Sequence, residues 1–221
     1  MQQKRKGGSI MKKIPAEKTA IVLIEPQNDF LSPGGTMYQY IKEQLAERNV
    51  IANLQYLLDN ARGKAKIFYV PFYAFKPGFP ELKPGGPAYD GLRGIEIDMV
   101  ADWGKGAWLR GTPGPEIIKE LTPHEGDIVV EGKMTLDAFH STALDYLLRA
   151  NEIEYVAVVG FHTDWCVEST ARSAYDKGYR VIVIGDCTAT DTQEEQDFCE
   201  KWIFPKIGTV TTAREFLEAL E

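Results

Sequence analysis

Tyr155-Val156-Ala157-Val158-Val159-Gly160-Phe161-His162-Thr163-Asp164-Trp165-Cys166-Val167-Glu168-Ser169-Thr170 is the stretch whose reading decides the fold. An apolar, β-branched run over 155–159 ends at Gly160, a short polar turn follows, and Cys166 opens a segment of helical spacing that Gly178 closes. A strand that is apolar throughout, then a turn, then a helix, is half of a crossover unit. Such strands belong to parallel sheets covered on both faces. The turn also puts a thiol at the carboxyl end of a strand and the amino end of a helix. Unpaired backbone N–H groups and the helix dipole favour thiolate there, so Cys166 is a candidate nucleophile.

The same alternation extends in both directions. Strands are expected at 19–24, 65–70, 127–130, 155–159, 180–184 and 206–210, and helices at 41–60, 142–149, 166–177, 193–202 and 212–220. The pattern predicts an α/β fold with three α/β/α layers, an open, doubly wound parallel sheet joined by right-handed crossovers. Ligands of such sheets bind beyond the carboxyl ends of the strands, where the strand order reverses. Residues 71–113 break the rhythm with Pro71, Pro77, Pro80, Pro84, Pro87 and Pro113 among Phe72, Tyr73, Phe75, Phe79, Tyr89, Trp103 and Trp108. A segment of that kind is expected to cover a pocket or to mediate self-association.

With 221 residues, 44% of them hydrophobic, the chain suits one sizeable core. A single domain is expected over 15–221. Before it, residues 1–14 carry Lys4, Arg5, Lys6, Lys12 and Lys13 with no apolar run, which reads as a solvated basic tail and not a secretory signal. The net charge of −7 argues against nucleic acid as a partner. No apolar run approaches the roughly 20 residues of a membrane span. The three cysteines, Cys166, Cys187 and Cys199, form no C-x-x-C pair. They fit neither a disulfide framework nor a zinc site and point to a cytoplasmic protein.

The strand ends carry the chemistry. Glu25 closes the first strand, Lys133 follows the third and Cys166 follows the fourth. A thiol nucleophile needs a proton acceptor, a cation and oxyanion donors, and a carboxylate and an ammonium stand where this fold converges them. Cys187 lacks the helix-start position and reads as structural. There is no G-x-S-x-G elbow, phosphate-binding loop or dinucleotide fingerprint. His124, His140 and His162 lack ligand spacing, and Val70-Pro71-Phe72-Tyr73 stands where an Asp-x-His would follow the second strand. No metal and no cofactor are expected.

These residues together resemble the isochorismatase-like cysteine hydrolases, which include nicotinamidases, N-carbamoylsarcosine amidases, ureidoacrylate and biuret hydrolases and isochorismatases. The marks are Ile21-Val22-Leu23-Ile24-Glu25-Pro26-Gln27-Asn28-Asp29-Phe30 with Gly34-Gly35, Gly111-Thr112-Pro113-Gly114-Pro115-Glu116-Ile117, Asp127-Ile128-Val129-Val130-Glu131-Gly132-Lys133 with Ala138-Phe139, and the Gly160 to Val167 stretch. The resemblance implies a six-stranded sheet of order 3-2-1-4-5-6 and self-association into a homo-oligomer. It implies Cys166 as nucleophile, Lys133 as cation and Glu25, where the family usually has Asp, as proton acceptor. It also implies a cis peptide between Phe161 and His162, with the amides of His162 and Cys166 binding the oxyanion. The expected activity is hydrolysis of a carbon–nitrogen bond in a small amide or ureido substrate through a thioester on Cys166. The alternatives are vinyl-ether hydrolysis of the isochorismatase type, or a catalytically weak member kept for binding or assembly. The missing metal-ligand pattern weighs against a nicotinamidase. Phe30, Phe72, Tyr73, Trp108, Phe139 and Trp165, with the His162 side chain, are the candidate pocket aromatics.

Overall fold

Six apolar runs pair into one parallel sheet of order β3-β2-β1-β4-β5-β6, as expected. The strands are β1 (Thr19–Ile24), β2 (Lys66–Val70), β3 (Ile128–Val129), β4 (Tyr155–Phe161), β5 (Arg180–Ala189) and β6 (Gly208–Thr211). The computed structural model describes residues 11–77, 80–81, 83 and 108–221. Every residue of β1 is buried, which is why its sequence shows no polar alternation. Its side chains still alternate: Ile21 and Leu23 enter one core, and Ala20, Val22 and Ile24 the other.

Helices cover both faces. Helix α1 (Asn28–Leu31), α2 (Tyr38–Glu47), α3 (Val50–Ala61) and, at the far end of the chain, α7 (Ala213–Ala219) lie against the first core, where Leu54, Leu57 and Phe216 are wholly buried. Helix α4 (Leu144–Ala150) and α5 (Glu168–Asp176) supply Leu144, Leu148, Ala171 and Ala174 to the second. Helix α6 (Gln193–Phe198) follows β5. Among the described residues no helix is long and apolar enough to cross a membrane.

The strand order reverses between β1 and β4, and Gly160 marks the place. It lies opposite Ile24 in the ladder, with φ of 117°. A Cβ there would stand 2.2 Å from the Ile24 carbonyl oxygen, so only glycine lets the two strands run together to their ends.

Four expectations are corrected. The helix expected over 41–60 is two helices, broken at Asn49, which takes the left-handed conformation (φ 52°) that asparagine tolerates. Cys166 does not open an α-helix: Thr163–Val167 is a π-helical turn, and α5 starts after it. Strand β5 continues to Ala189, because a register shift between Val158 and Gly160 lets Thr188 and Ala189 pair with Gly160 and Phe161. Ile14, placed in the tail by its sequence neighbours, is buried and bridges to Leu220. Residues 1–10 and, within the 71–113 segment, Phe79, Tyr89 and Trp103 lie outside the described residues, as does most of the expected pocket cover or association surface.

Candidate active site

Three strand ends deliver three side chains to one buried point. Glu25 leaves β1 with φ of 52°, an uncommon conformation outside glycine, and its amide donates to the Val70 carbonyl at 3.1 Å. Glu25, Lys133 and Cys166 are 1%, 0% and 4% exposed. Lys133 Nζ donates to Glu25 Oε1, donates to the Thr135 carbonyl at 2.6 Å, and lies 3.6 Å from Cys166 Sγ. These partners account for the three donors of an ammonium. The Phe72 ring stands beneath Nζ at 5.0 Å. A buried ion pair survives only with such compensation. Glu25 Oε2 is buried and has no hydrogen-bond partner among the described residues.

The electrostatics correct the expected thiolate. Burial pushes the Cys166 thiol up, the negative charge of Glu25 pushes it further, and Lys133 opposes them only in part. The thiol pKa therefore lies above its ordinary value. Burial alone would lower the Lys133 pKa, but the neighbouring Cys166 and Glu25 raise it above the ordinary value, so the ammonium keeps its proton. Cys166 also sits within the π-helical turn and not at the first residue of α5, so it lacks the helix-start position expected of it.

The loops that carry these groups are stitched together. Gln27 Nε2 donates to the carbonyls of Phe72 (2.9 Å) and Pro115 (2.8 Å), and its Oε1 accepts from the Phe72 amide at 2.6 Å. Asp29 Oδ2 accepts from the Trp108 amide at 2.8 Å and holds that residue at φ 45°. Burial raises the Asp29 pKa despite this bond. Gly114 passes under the same carboxylate, where a Cβ would meet Asp29 Oδ2 at 2.3 Å. The lysine loop is tied to α5 by the Ala138 amide donating to Thr170 Oγ1 (3.0 Å) and by Ser173 Oγ donating to Asp137 Oδ2 (2.8 Å). The nucleophile turn is tied to α6: Thr163 Oγ1 donates to Gln196 Oε1 at 2.7 Å, and Gln196 Nε2 donates to Thr188 Oγ1 at 3.0 Å.

The aromatics form an arc between the two ends of the triad. Phe72, under Lys133, lies 5.6 Å from Trp108; Trp108 meets Phe30 at 5.3 Å; Phe30 meets the His162 ring edge-on at 5.3 Å; and His162 stacks on Trp165 at 5.5 Å. Phe30, Phe72, Trp108, His162 and Trp165 are thus brought into one chain of ring contacts. Tyr73 stands farther out, on a cavity of about 560 Å3 lined also by Pro71, Phe72, Arg110, Glu131 and Gly132. No triad residue lines the described wall of that cavity, and Phe72 separates it from Lys133. Phe139 is not in the arc. It stacks on Tyr179 at 5.9 Å, at the start of β5 and so away from the strand ends, which removes it from the candidate pocket.

The peptide between Phe161 and His162 is cis. His162 Nδ1 lies 3.2 Å from Asp191 Oδ1. Sequence reasoning missed Asp191, Gln196 and Gln27 as supports of the site. Gln27 stood in view within the Glu25 to Phe30 stretch, but the site partners of all three are distant in the chain. Among the described residues no group of three His, Cys, Asp or Glu side chains is arranged to hold a metal ion.

A family model for the isochorismatase domain matches residues 19–215. An uncharacterized isochorismatase family protein of Bacillus subtilis is 31% identical over 208 residues, covering 94% of this chain and 97% of that one. Among solved structures, a cysteine hydrolase from Pseudomonas syringae pv. phaseolicola superimposes with a TM-score of 0.77 at 23% identity, over 97% of this chain and 98% of its own. N-carbamoylsarcosine amidase from Thermoplasma acidophilum gives a TM-score of 0.65 at 26% identity, over 89% of this chain and 96% of its own.

Proposed function

Because the chain belongs to the isochorismatase family of hydrolases, we propose that it hydrolyses a carbon–nitrogen bond of a small amide or ureido compound through a thioester on Cys166. The observation that carries this reading is the reach of one ammonium, Lys133 Nζ, to both Glu25 Oε1 and Cys166 Sγ at a single buried point.

Cys166 holds its proton until substrate arrives. Glu25, whose Oε2 has free lone pairs, takes that proton as the sulfur attacks the carbonyl carbon. The negative charge thus passes from Glu25 to the sulfur, beside Lys133, and from there to the substrate oxygen. The carbonyl oxygen becomes an oxyanion, assigned here to the backbone amides of His162 and Cys166. The tetrahedral adduct collapses, the C–N bond breaks, and the departing nitrogen takes the proton from Glu25. Water then attacks the thioester, gives its proton to Glu25, and the thiol leaves and is reprotonated. Lys133 keeps its proton throughout, acting as a fixed positive charge.

A panel of small amides, carbamoyl compounds and ureas screened for ammonia or amine release tests the reading. Replacing Cys166 with Ala is expected to remove turnover by at least about a thousandfold. Mass spectrometry of the quenched enzyme is expected to find an acyl group on Cys166. Full turnover by Cys166→Ala would sink the scheme, and turnover without an acyl-enzyme would favour vinyl-ether hydrolysis. The three unpaired, buried thiols suit a reducing compartment. We extend the proposal to a cytoplasmic homo-oligomer, checked by localisation and by light scattering of the purified protein.

A further inference from the structure

His162 has one nitrogen engaged and one idle. Its side chain is 3% exposed, Nδ1 faces Asp191 Oδ1 at 3.2 Å, and Nε2 is buried with no hydrogen-bond partner among the described residues. An idle buried ring nitrogen destabilises the fold unless something fills it. The other carboxylate nearby, Asp164, is turned to Thr190, whose hydroxyl it accepts. The ring cannot swing to another partner, because Phe30 meets it edge-on and Trp165 stacks on it. Those two rings belong to the arc that begins at Lys133.

A carboxylate at Nδ1 fixes the tautomer of a neutral imidazole: the proton sits on Nδ1 and the lone pair on Nε2. We propose that His162 Nε2 is a substrate-recognition acceptor, which selects ligands that bring an N–H donor, such as a primary carboxamide or a terminal ureido nitrogen. Asp191 is the positioning residue behind it. The proposal deepens the amide-hydrolase reading and rests on it for the class of ligand. It gives the site a reason to prefer a primary amide over a dialkylated amide or an ester of the same shape. The discrimination is of the kind in which a buried group left unpaired penalises the wrong ligand.

Two measurements on the full chain test it. The first is a long-range proton–nitrogen correlation spectrum of protein labelled with nitrogen-15 in histidine, assigned by Phe substitution at His162. Near neutral pH the His162 ring is expected to carry its proton on Nδ1 alone, and Asp191→Ala is expected to release it to the ordinary mixture of tautomers. A proton on Nε2 in the unsubstituted protein, as the other tautomer or as an imidazolium, overturns the proposal.

The second is protection of Cys166 from iodoacetamide, read by mass spectrometry, with benzamide and N,N-dimethylbenzamide as probes. Benzamide is expected to protect at roughly tenfold lower concentration, and His162→Phe, which keeps an aromatic ring and removes the acceptor, to erase that difference. Equal protection by the two probes, or by neither, overturns it. The amide-hydrolase reading fails if no acyl-enzyme forms, and this one fails if Nε2 is protonated, so the two failures are distinct.

Discussion

At position 25 the length of a side chain is matched to the direction of the backbone. The chain turns into the left-handed region immediately after β1, and the longer carboxylate then reaches Lys133. Shortening it by one methylene, as in Glu25→Asp, withdraws the oxygen by more than 1 Å from partners that are themselves fixed. Misplacement of that size costs on the order of a hundredfold. We therefore expect Glu25→Asp to lower kcat/KM about a hundredfold with the fold intact by circular dichroism. Unchanged kcat/KM would mean that the backbone, and not the glutamate, sets the reach. The positions of Glu25, Lys133 and Cys166 were legible in the sequence because strand ends in a doubly wound sheet are where chemistry collects. The upward shift of the Cys166 thiol was not legible, since burial and the neighbouring carboxylate are tertiary facts. Phe139 was misplaced for a related reason: its ring partner, Tyr179, sits 40 residues on in the chain and at the other end of the sheet.

At the scale of elements, the closest fit is between β1 and β4. Gly160→Ala would push a methyl group into the Ile24 backbone, and backbone on both sides leaves nothing flexible to yield. A loss of at least about 3 kcal/mol is expected, measured by urea unfolding, with the damage concentrated at the nucleophile turn. A loss below about 1 kcal/mol would show that the two strands can part. Strand runs were readable from their lack of polar alternation, and β1 falls where its sequence places it. The end of β5 was hidden by Gly185-Asp186, which looks like a turn and is instead accommodated by the shift of register against β4. The wide turn at Thr163–Val167 was hidden as well, because Gln196, which bonds Thr163, approaches from a helix that comes later in the chain.

At the scale of the whole molecule, burial holds the three thiols and the Tyr69 phenol in their protonated forms to higher pH. Burial is the leading cause that raises Cys166, Cys187 and Cys199 above the ordinary thiol value of 9.0, to about 12 for Cys199. It likewise raises Tyr69 to about 12. In the unfolded chain these thiols ionise near 9, whereas the folded chain holds its protons to higher pH. The folded state therefore binds more protons on the alkaline side, and stability falls as pH rises there. It is fully present below about pH 9 and is lost progressively on the way to the folded values. Scanning calorimetry is expected to show a Tm that holds from about pH 7 to about 9 and then declines steadily to about pH 11. A Tm that stays level to the end of that range would contradict the burial of these groups. Composition had pointed to a single large core and to unpaired thiols, but not to how far each thiol would be removed from water.

The arc of rings has a spectroscopic side. Trp108 and Trp165 are far apart in the chain, yet one meets Phe30 and the other meets His162, on either side of the same contact. Trp202, in contrast, is 63% exposed. Iodide should quench the emission of Trp202 more than that of buried Trp108 and half-buried Trp165, while a small amide such as benzamide should change the emission of the latter two. Replacing both Trp202 and Trp103 with Phe would darken the background and leave Trp108 and Trp165 as the two remaining indoles, both in the arc beside the triad. Occupancy of the site could then be titrated by light alone, before any turnover substrate is known.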